Sequence, residues 1–187
     1  MNTTLEKKQT IMRASLVSIL LLATVLIPVS QESTAATKCK PVKPIGQAVG
    51  RIVVGDVNMP IIPFTYPAGG VMEPQKSTEM LAMSLRHMPL SSTLGTTVLA
   101  WHVNFNGCNN DLNTLVYKDV GDRFSITDET GKTTTYRITR KTTVKKGDYK
   151  KSWFSLVGPR KLAMFTCSGA FVNGHYVNND VIIAIPD

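Results

Sequence analysis

Beyond residue 48 the chain consists almost entirely of short apolar runs cut by Gly, Pro, Asn and Asp, and that punctuation restricts it to a fold made of strands. Residues 48–54 and 59–66 are rich in Val, Ile and aromatic side chains and are bounded by Gly and Pro. Residues 96–103 and 161–167 are apolar runs that end in polar, turn-forming sequence, as strands buried on at least one face do. Residues 124–127 and 133–142 flank Asp128-Glu129-Thr130-Gly131-Lys132, a hairpin signal in which Gly131 can take positive φ. A last strand is expected over residues 181–185. Only residues 75–87 depart from the pattern: Met80, Leu81, Met83 and Leu85 follow the potential caps Ser77 and Thr78 and predict a short helix. Many short strands with one or two small helices predict an all-β domain, a closed or nearly closed β-barrel.

Ahead of this domain, Lys7, Lys8 and Arg13 precede an apolar run from Ala14 to Val29, which reads as an export signal. Its length falls between a signal-peptide core and a bilayer span. Thr34 and Ala36 suit cleavage, but they follow the polar stretch 31–33, so the expectation is an uncleaved helical anchor with its basic end inside. The predicted organisation is a basic cytoplasmic end at 1–13, a membrane anchor or signal segment at 14–30, a linker at 31–47 carrying Pro41 and Pro44, and one folded domain at 48–187.

The net charge of +8 raises nucleic-acid binding as a function. Its basic residues are scattered rather than interleaved with aromatics on one element, so no nucleic-acid partner is expected. Outside the cell such a surface meets anionic wall polymer or lipid headgroups, or simply keeps the domain soluble. Export also puts the three cysteines in an oxidising compartment, where an odd count leaves one thiol unpaired in a monomer. Cys39 and Cys108 can bridge each other. Cys108 can instead pair with Cys167 as a redox latch, the less favoured alternative.

Cys167 stands where the run Leu162-Ala163-Met164-Phe165-Thr166 gives way to Ser168 and Gly169, which places a thiol at a strand end. An inert cysteine is also common inside an apolar run, where it behaves as a small hydrophobe. Nucleophilic chemistry needs a thiolate, and a neighbouring imidazolium stabilises one. Of the three histidines, His102 lies at the end of the apolar run 97–101, so adjacent parallel strands would bring it to Cys167. His87, beside Met88-Pro89, reads as a helix-end residue, and His175 lies in the loop expected after the cysteine.

These pieces together resemble a sortase: the N-terminal apolar segment, Gly70-Val71-Met72-Glu73-Pro74, the strand and loop around His102, the Gly121-Asp122-Arg123-Phe124-Ser125-Ile126 strand, and residues 162–184. The run ending Phe165-Thr166-Cys167 resembles the family's Leu-x-x-Thr-Cys strand end, and the whole is most similar to the actinobacterial class F or class E branches. The resemblance implies an eight-stranded sortase-type β-barrel and a cysteine transpeptidase working at the outer face of a bacterial membrane. Cys167 would attack the threonine carbonyl of a Leu-Pro-x-Thr-Gly-like sorting signal to give a thioacyl enzyme. His102 would protonate the leaving amine and then deprotonate an acceptor amine from a peptidoglycan peptide or a pilin. No metal and no organic cofactor are implied.

The chain departs from that family pattern in two places. Sortases place an arginine on the strand after the cysteine loop, where it donates to the substrate carbonyl and the oxyanion; here that position falls near Val177, and no arginine follows Arg160. His175 and Asn178 are the expected replacements, with Thr166 a further candidate substrate contact, while Asn179 and an arginine from elsewhere, Arg86 or Arg137, remain open. The second departure is Trp101, where the family has glycine before its histidine; a bulky neighbour there is expected to narrow the groove or shield the imidazole. A catalytically degenerate sortase-fold binding or scaffold protein is the alternative to an active enzyme. An L,D-transpeptidase would need a Ser-His-Gly-x-x-x-Cys-like motif, which the sequence lacks.

Overall fold

The computed structural model describes residues 39–67, 69 and 71–187. The expected basic end 1–13, the apolar segment 14–30 and the start of the linker lie outside the described residues. No helix among the described residues is long and apolar enough to cross a membrane.

Eight strands close into a barrel: β1 (Gly50–Val54), β2 (Val57–Phe64), β3 (Leu81–Ser84), β4 (Thr96–Trp101), β7 (Arg123–Thr127), β8 (Thr133–Lys145), β9 (Lys161–Val172) and β10 (His175–Pro186). Their order around the barrel is β1-β2-β3-β4-β9-β10-β8-β7, with β7 returning to pair with β1. The β2–β3 and β4–β9 pairs are parallel, and the remaining pairs are antiparallel. A small hairpin, β5 (Asn104–Phe105) with β6 (Cys108–Asn109), follows β4 and leads through a 3-10 turn into α1 (Thr114–Tyr117). The expected all-β barrel with small helices is therefore what the chain forms, and its helices are shorter than expected.

Three local expectations change. Residues 75–87 hold no helix: Leu81–Ser84 is strand β3, fully buried and paired with β2 and β4. The helix-forming side chains Leu81, Ala82 and Met83 are overridden there by burial on both faces of a sheet. Strand β9 does not stop at Cys167 but runs on to Val172 and turns at Asn173-Gly174, both with positive φ, into β10. That two-residue turn matches the right-handed twist of its strands, and it makes His175 the first residue of β10 rather than a loop residue. The hairpin at 128–132 is as expected, with Gly131 at φ +84° and the Asp128 carboxylate accepting from the backbone N–H groups of Thr130 and Lys132 at 2.9 and 3.1 Å.

The core has an inner and an outer layer. Ile52, Ile61, Leu81, Leu99, Trp101, Tyr136, Ile138, Leu162, Met164 and Ile182 fill the barrel. Val98, Ala100, Ala163, Phe165, Val181 and Ile183 point the other way and form a second cluster outside it, covered by Trp153 and flanked by Phe154 and Met72. Side chains alternate along a strand, so β4 and β9 present apolar residues to both layers, which is why their sequences are continuous apolar runs.

Candidate active site

The parallel register of β4 and β9 builds the site. It runs from Thr96 opposite Lys161 to Trp101 opposite Thr166. His102 and Cys167 are each the next residue along these two neighbouring chains. Alternation along β9 continues Ala163 and Phe165 outward to Cys167, at the end of the outer apolar layer, while His102 directly follows the last residue of β4. Cys167 is half-buried and is a free thiol. Thr166 is buried and donates its hydroxyl to the Trp101 carbonyl at 3.0 Å, fastening the two strand ends together. Its side chain is thus committed to the scaffold.

His102 is held by the connection between β2 and β3. Its Nε2 lies 3.2 Å from the Pro74 carbonyl oxygen, and because a carbonyl only accepts, Nε2 carries the proton in that bond. Nδ1 makes no hydrogen bond among the described residues. The ring also lies 6.2 Å, centroid to centroid, from Phe105. No hydrogen bond joins the thiol to the imidazole among the described residues.

The loop after His102 is fixed at several points. The Val103 carbonyl accepts from the Asn110 backbone N–H at 3.1 Å and from Asn113 Nδ2 at 2.8 Å. A disulfide joins Cys108 in β6 to Cys39, 69 residues earlier. Cys108 is therefore not a latch on Cys167. Trp101, expected to narrow the groove, instead points into the barrel, 3% exposed, with its indole N–H donating to Asn113 Oδ1 at 3.0 Å. Alternation from Leu99, another interior residue, already carries that direction.

The expected arginine substitutes are distributed differently from the sequence count. His175 is exposed and pairs with Val172, five residues along β9 from Cys167, or roughly 17 Å. Asn178 pairs with Ser168 on one side and Lys145 on the other, so alternation turns it to the face opposite Cys167. The register slips between Tyr176 and Asn178, taking Val177 out of the ladder. The residue directly opposite Cys167 is Asn179. Arg137 pairs with Asp187 at 2.9 Å, and Arg86 lies over the Tyr66 ring, so each has partners elsewhere.

Asn179 is nearly buried, and its carboxamide makes two bonds. Nδ2 donates to the Thr166 carbonyl at 2.9 Å, and Oδ1 accepts from the Tyr149 hydroxyl at 2.8 Å. Tyr149 leans edge-on against Phe165, ring centroids 5.9 Å apart, beside the cysteine. Burial pushes its phenol pKa up, against the lowering effect of a hydrogen bond from the Gly147 backbone, with a smaller raising contribution from Cys167. Sequence reasoning gave Tyr149 no role, and nothing local marks it.

The fold defines a closed eight-stranded β-barrel with a free cysteine in β9 and a histidine directly after its parallel neighbour β4. The family model described as "Sortase domain" matches residues 52–187, and the chain belongs to the sortase family of cysteine transpeptidases. Comparison with curated protein sequences gives no match. Among solved structures, sortase C-1 from Actinomyces oris is similar at 19% identity, covering 75% of this chain and 73% of that one, with a TM-score of 0.60. Sortase A from Corynebacterium diphtheriae is similar at 17% identity over 78% and 63% of the two chains, TM-score 0.60. Streptococcus agalactiae sortase C1, in complex with MTSET, is similar at 15% identity over 75% and 69%, TM-score 0.58. At these identities the structural likeness speaks to the fold, which is that of a sortase.

Proposed function

We propose that this chain is an active cell-surface sortase in which Cys167 is the nucleophile and His102 the proton carrier, the observation behind it being the parallel β4–β9 register that aligns their strand ends. The thiolate attacks the threonine carbonyl of a Leu-Pro-x-Thr-Gly-like sorting signal. The tetrahedral intermediate collapses with proton donation from His102 Nδ1 to the departing glycine amine, leaving a Cys167 thioester. An amine from a peptidoglycan peptide or a pilin, deprotonated by His102, then takes the acyl group and restores the thiol. The outer apolar layer of Val98, Ala100, Ala163 and Phe165 is covered by Trp153 and serves in this reading as a rigid base behind Cys167, with the peptide held at its open end. The apolar segment 14–30 serves as the membrane tether in this reading, with residues 48–187 as the catalytic domain outside.

Incubating the chain with a panel of sorting peptides and an amine acceptor tests the assignment. Transfer is expected, and Cys167→Ala abolishes it. His102→Gln is expected to lower kcat/KM by about two to four powers of ten, the usual range for losing a positioned general acid–base. Full activity in the Cys167→Ala protein sinks the proposal. The alternative, a sortase-fold binding protein, is favoured by the neutral Asn179 opposite the cysteine, where no guanidinium is present. A peptide that binds but never forms a covalent Cys167 adduct, even with an electrophilic sorting analogue, would establish that alternative.

A further inference from the structure

Acyl transfer to Cys167 generates an oxyanion that needs a preorganised donor, and β10 carries no cationic side chain from Asn178 through Pro186. We infer that Asn179 supplies this donor through the second N–H of its Nδ2, and that Tyr149 is the positioning residue that holds and polarises the Asn179 carboxamide. This inference rests on Cys167 being an acyl-accepting nucleophile.

Residues directly opposite in an antiparallel pair share one face of the sheet, with Cβ atoms about 4.5–5.5 Å apart, so the Asn179 side chain stands beside the thiol. The orientation of its amide is fixed by its partners. The Thr166 carbonyl can only accept, so Nδ2 faces it, and Oδ1 must then face the Tyr149 hydroxyl. An amide nitrogen has two N–H groups, and only one is used among the described residues. The other has no partner among the described residues, and the side chain stands on the face of the sheet that carries the thiol. A hydroxyl donating to the carbonyl oxygen of an amide strengthens the amide as a donor, because linked hydrogen bonds polarise one another. The raised phenol pKa keeps Tyr149 protonated in that role. Its ring is set by edge-on packing against Phe154 and Phe165, with centroids 6.1 and 5.9 Å away.

The arrangement replaces a cation with a neutral relay from Tyr149 O–H through the Asn179 carboxamide to the oxyanion. Attack forms the bond between Sγ and the acyl carbon while the carbonyl π pair moves onto oxygen, where the free N–H meets it. Collapse returns that pair and expels the leaving group, giving the thioester.

The test uses two reagents that both consume the Cys167 thiolate. p-Nitrophenyl acetate acylates it through an oxyanion and releases p-nitrophenolate, whereas iodoacetamide alkylates it by displacing iodide without one. Rates are measured on the full-length chain, Tyr149→Phe, Asn179→Ala and the double variant. Asn179→Ala is expected to slow acylation by about two powers of ten. Tyr149→Phe keeps the packed ring and should slow it about two- to tenfold, the size of one neutral hydrogen bond. The double variant should match Asn179→Ala alone, because Tyr149 acts only through Asn179. Alkylation should stay at the parent rate throughout.

Wild-type acylation in Tyr149→Phe, additive losses in the double variant, or parallel loss of both reactions would overturn the relay. A parent chain that is acylated by the ester yet cleaves no sorting peptide counts against the substrate reading, while the same rates still decide the relay. A parent chain whose Cys167 is not acylated overturns both.

Discussion

The wall formed by β4 and β9 and the wall formed by β7 and β8 belong to one barrel but obey different rules. Along β8 fully buried positions alternate with exposed or half-buried ones from Thr135 to Thr139, so Tyr136 and Ile138 fill the core while their neighbours reach solvent. Every residue of β4 and every residue of β9 from Leu162 to Thr166 is buried. The connection from 146 to 160, with Trp153 and Phe154 in its 3-10 turn, lies over that second wall, and Met72 from the β2–β3 connection flanks it. A barrel wall needs only one apolar face, so a second one marks where the protein has built something on the outside. Cys167, His102 and Asn179 all stand at the end of this covered wall.

The comparison breaks most sharply at Phe165 and Ile138. Each is buried, one in the outer layer and one in the barrel interior. Phe165→Ala should cost about 3–5 kcal/mol and Ile138→Ala about 2–5 kcal/mol in chemical denaturation. Their effects on turnover should differ. Phe165 packs against Tyr149, Trp153 and Phe154, so its loss should also loosen the groove and lower activity in protein that is still folded. Ile138→Ala should leave kcat/KM of the folded fraction unchanged. Equal loss of specific activity in both would show that the outer layer has no separate functional role.

The Cys39–Cys108 disulfide sharpens the contrast, since it ties the segment before β1 to the hairpin beside His102. Closing a loop of 69 residues stabilises a fold by about 2–4 kcal/mol, chiefly by restricting the unfolded chain. Cys39→Ser with Cys108→Ser should lower the denaturation midpoint accordingly. It should also increase hydrogen exchange at residues 103–110 while leaving β7 and β8 protected. Uniform loss of protection across the barrel would contradict a local fastening role.

Much of this division was legible before the structure. The apolar runs 96–103 and 161–167 stood out in the sequence, and the cysteine and histidine near their ends were visible as a pair. Residues 75–87 were not legible, because a strand buried on both faces shows no period of two, and Met80, Leu81, Ala82 and Met83 are good helix formers. Asn179 was passed over in favour of His175 and Asn178 because the position facing a residue across a hairpin depends on the turn and on any bulge. The Asn173-Gly174 hairpin turn was read as part of a longer loop, and the slip at Val177 leaves no mark in the sequence. Tyr149 reaches the site through tertiary packing alone.

The smallest expected effect concerns pH, and it again separates the two walls. His87 sits under the covering connection, its ring 5.5 Å from Phe154 and its Nδ1 2.9 Å from the Ser84 hydroxyl. Burial lowers its pKa, and the Arg86 charge lowers it further. A histidine with a depressed folded pKa stays neutral in the native state while the unfolded chain takes up a proton. Its neutral form therefore contributes fully above the ordinary histidine pKa of about 6.5, and stability falls as pH drops from there towards the lower folded value. Below that value the loss levels off. Denaturation midpoints of the parent chain and His87→Gln should converge as pH falls through this window, because the variant has no proton to gain at that position. Phe154 should report the same event locally, with the 146–160 connection losing hydrogen-exchange protection in mild acid before β8 does. A parent and variant whose midpoints run parallel across the window would show that protonation of His87 does not weaken the cover over the β4–β9 wall.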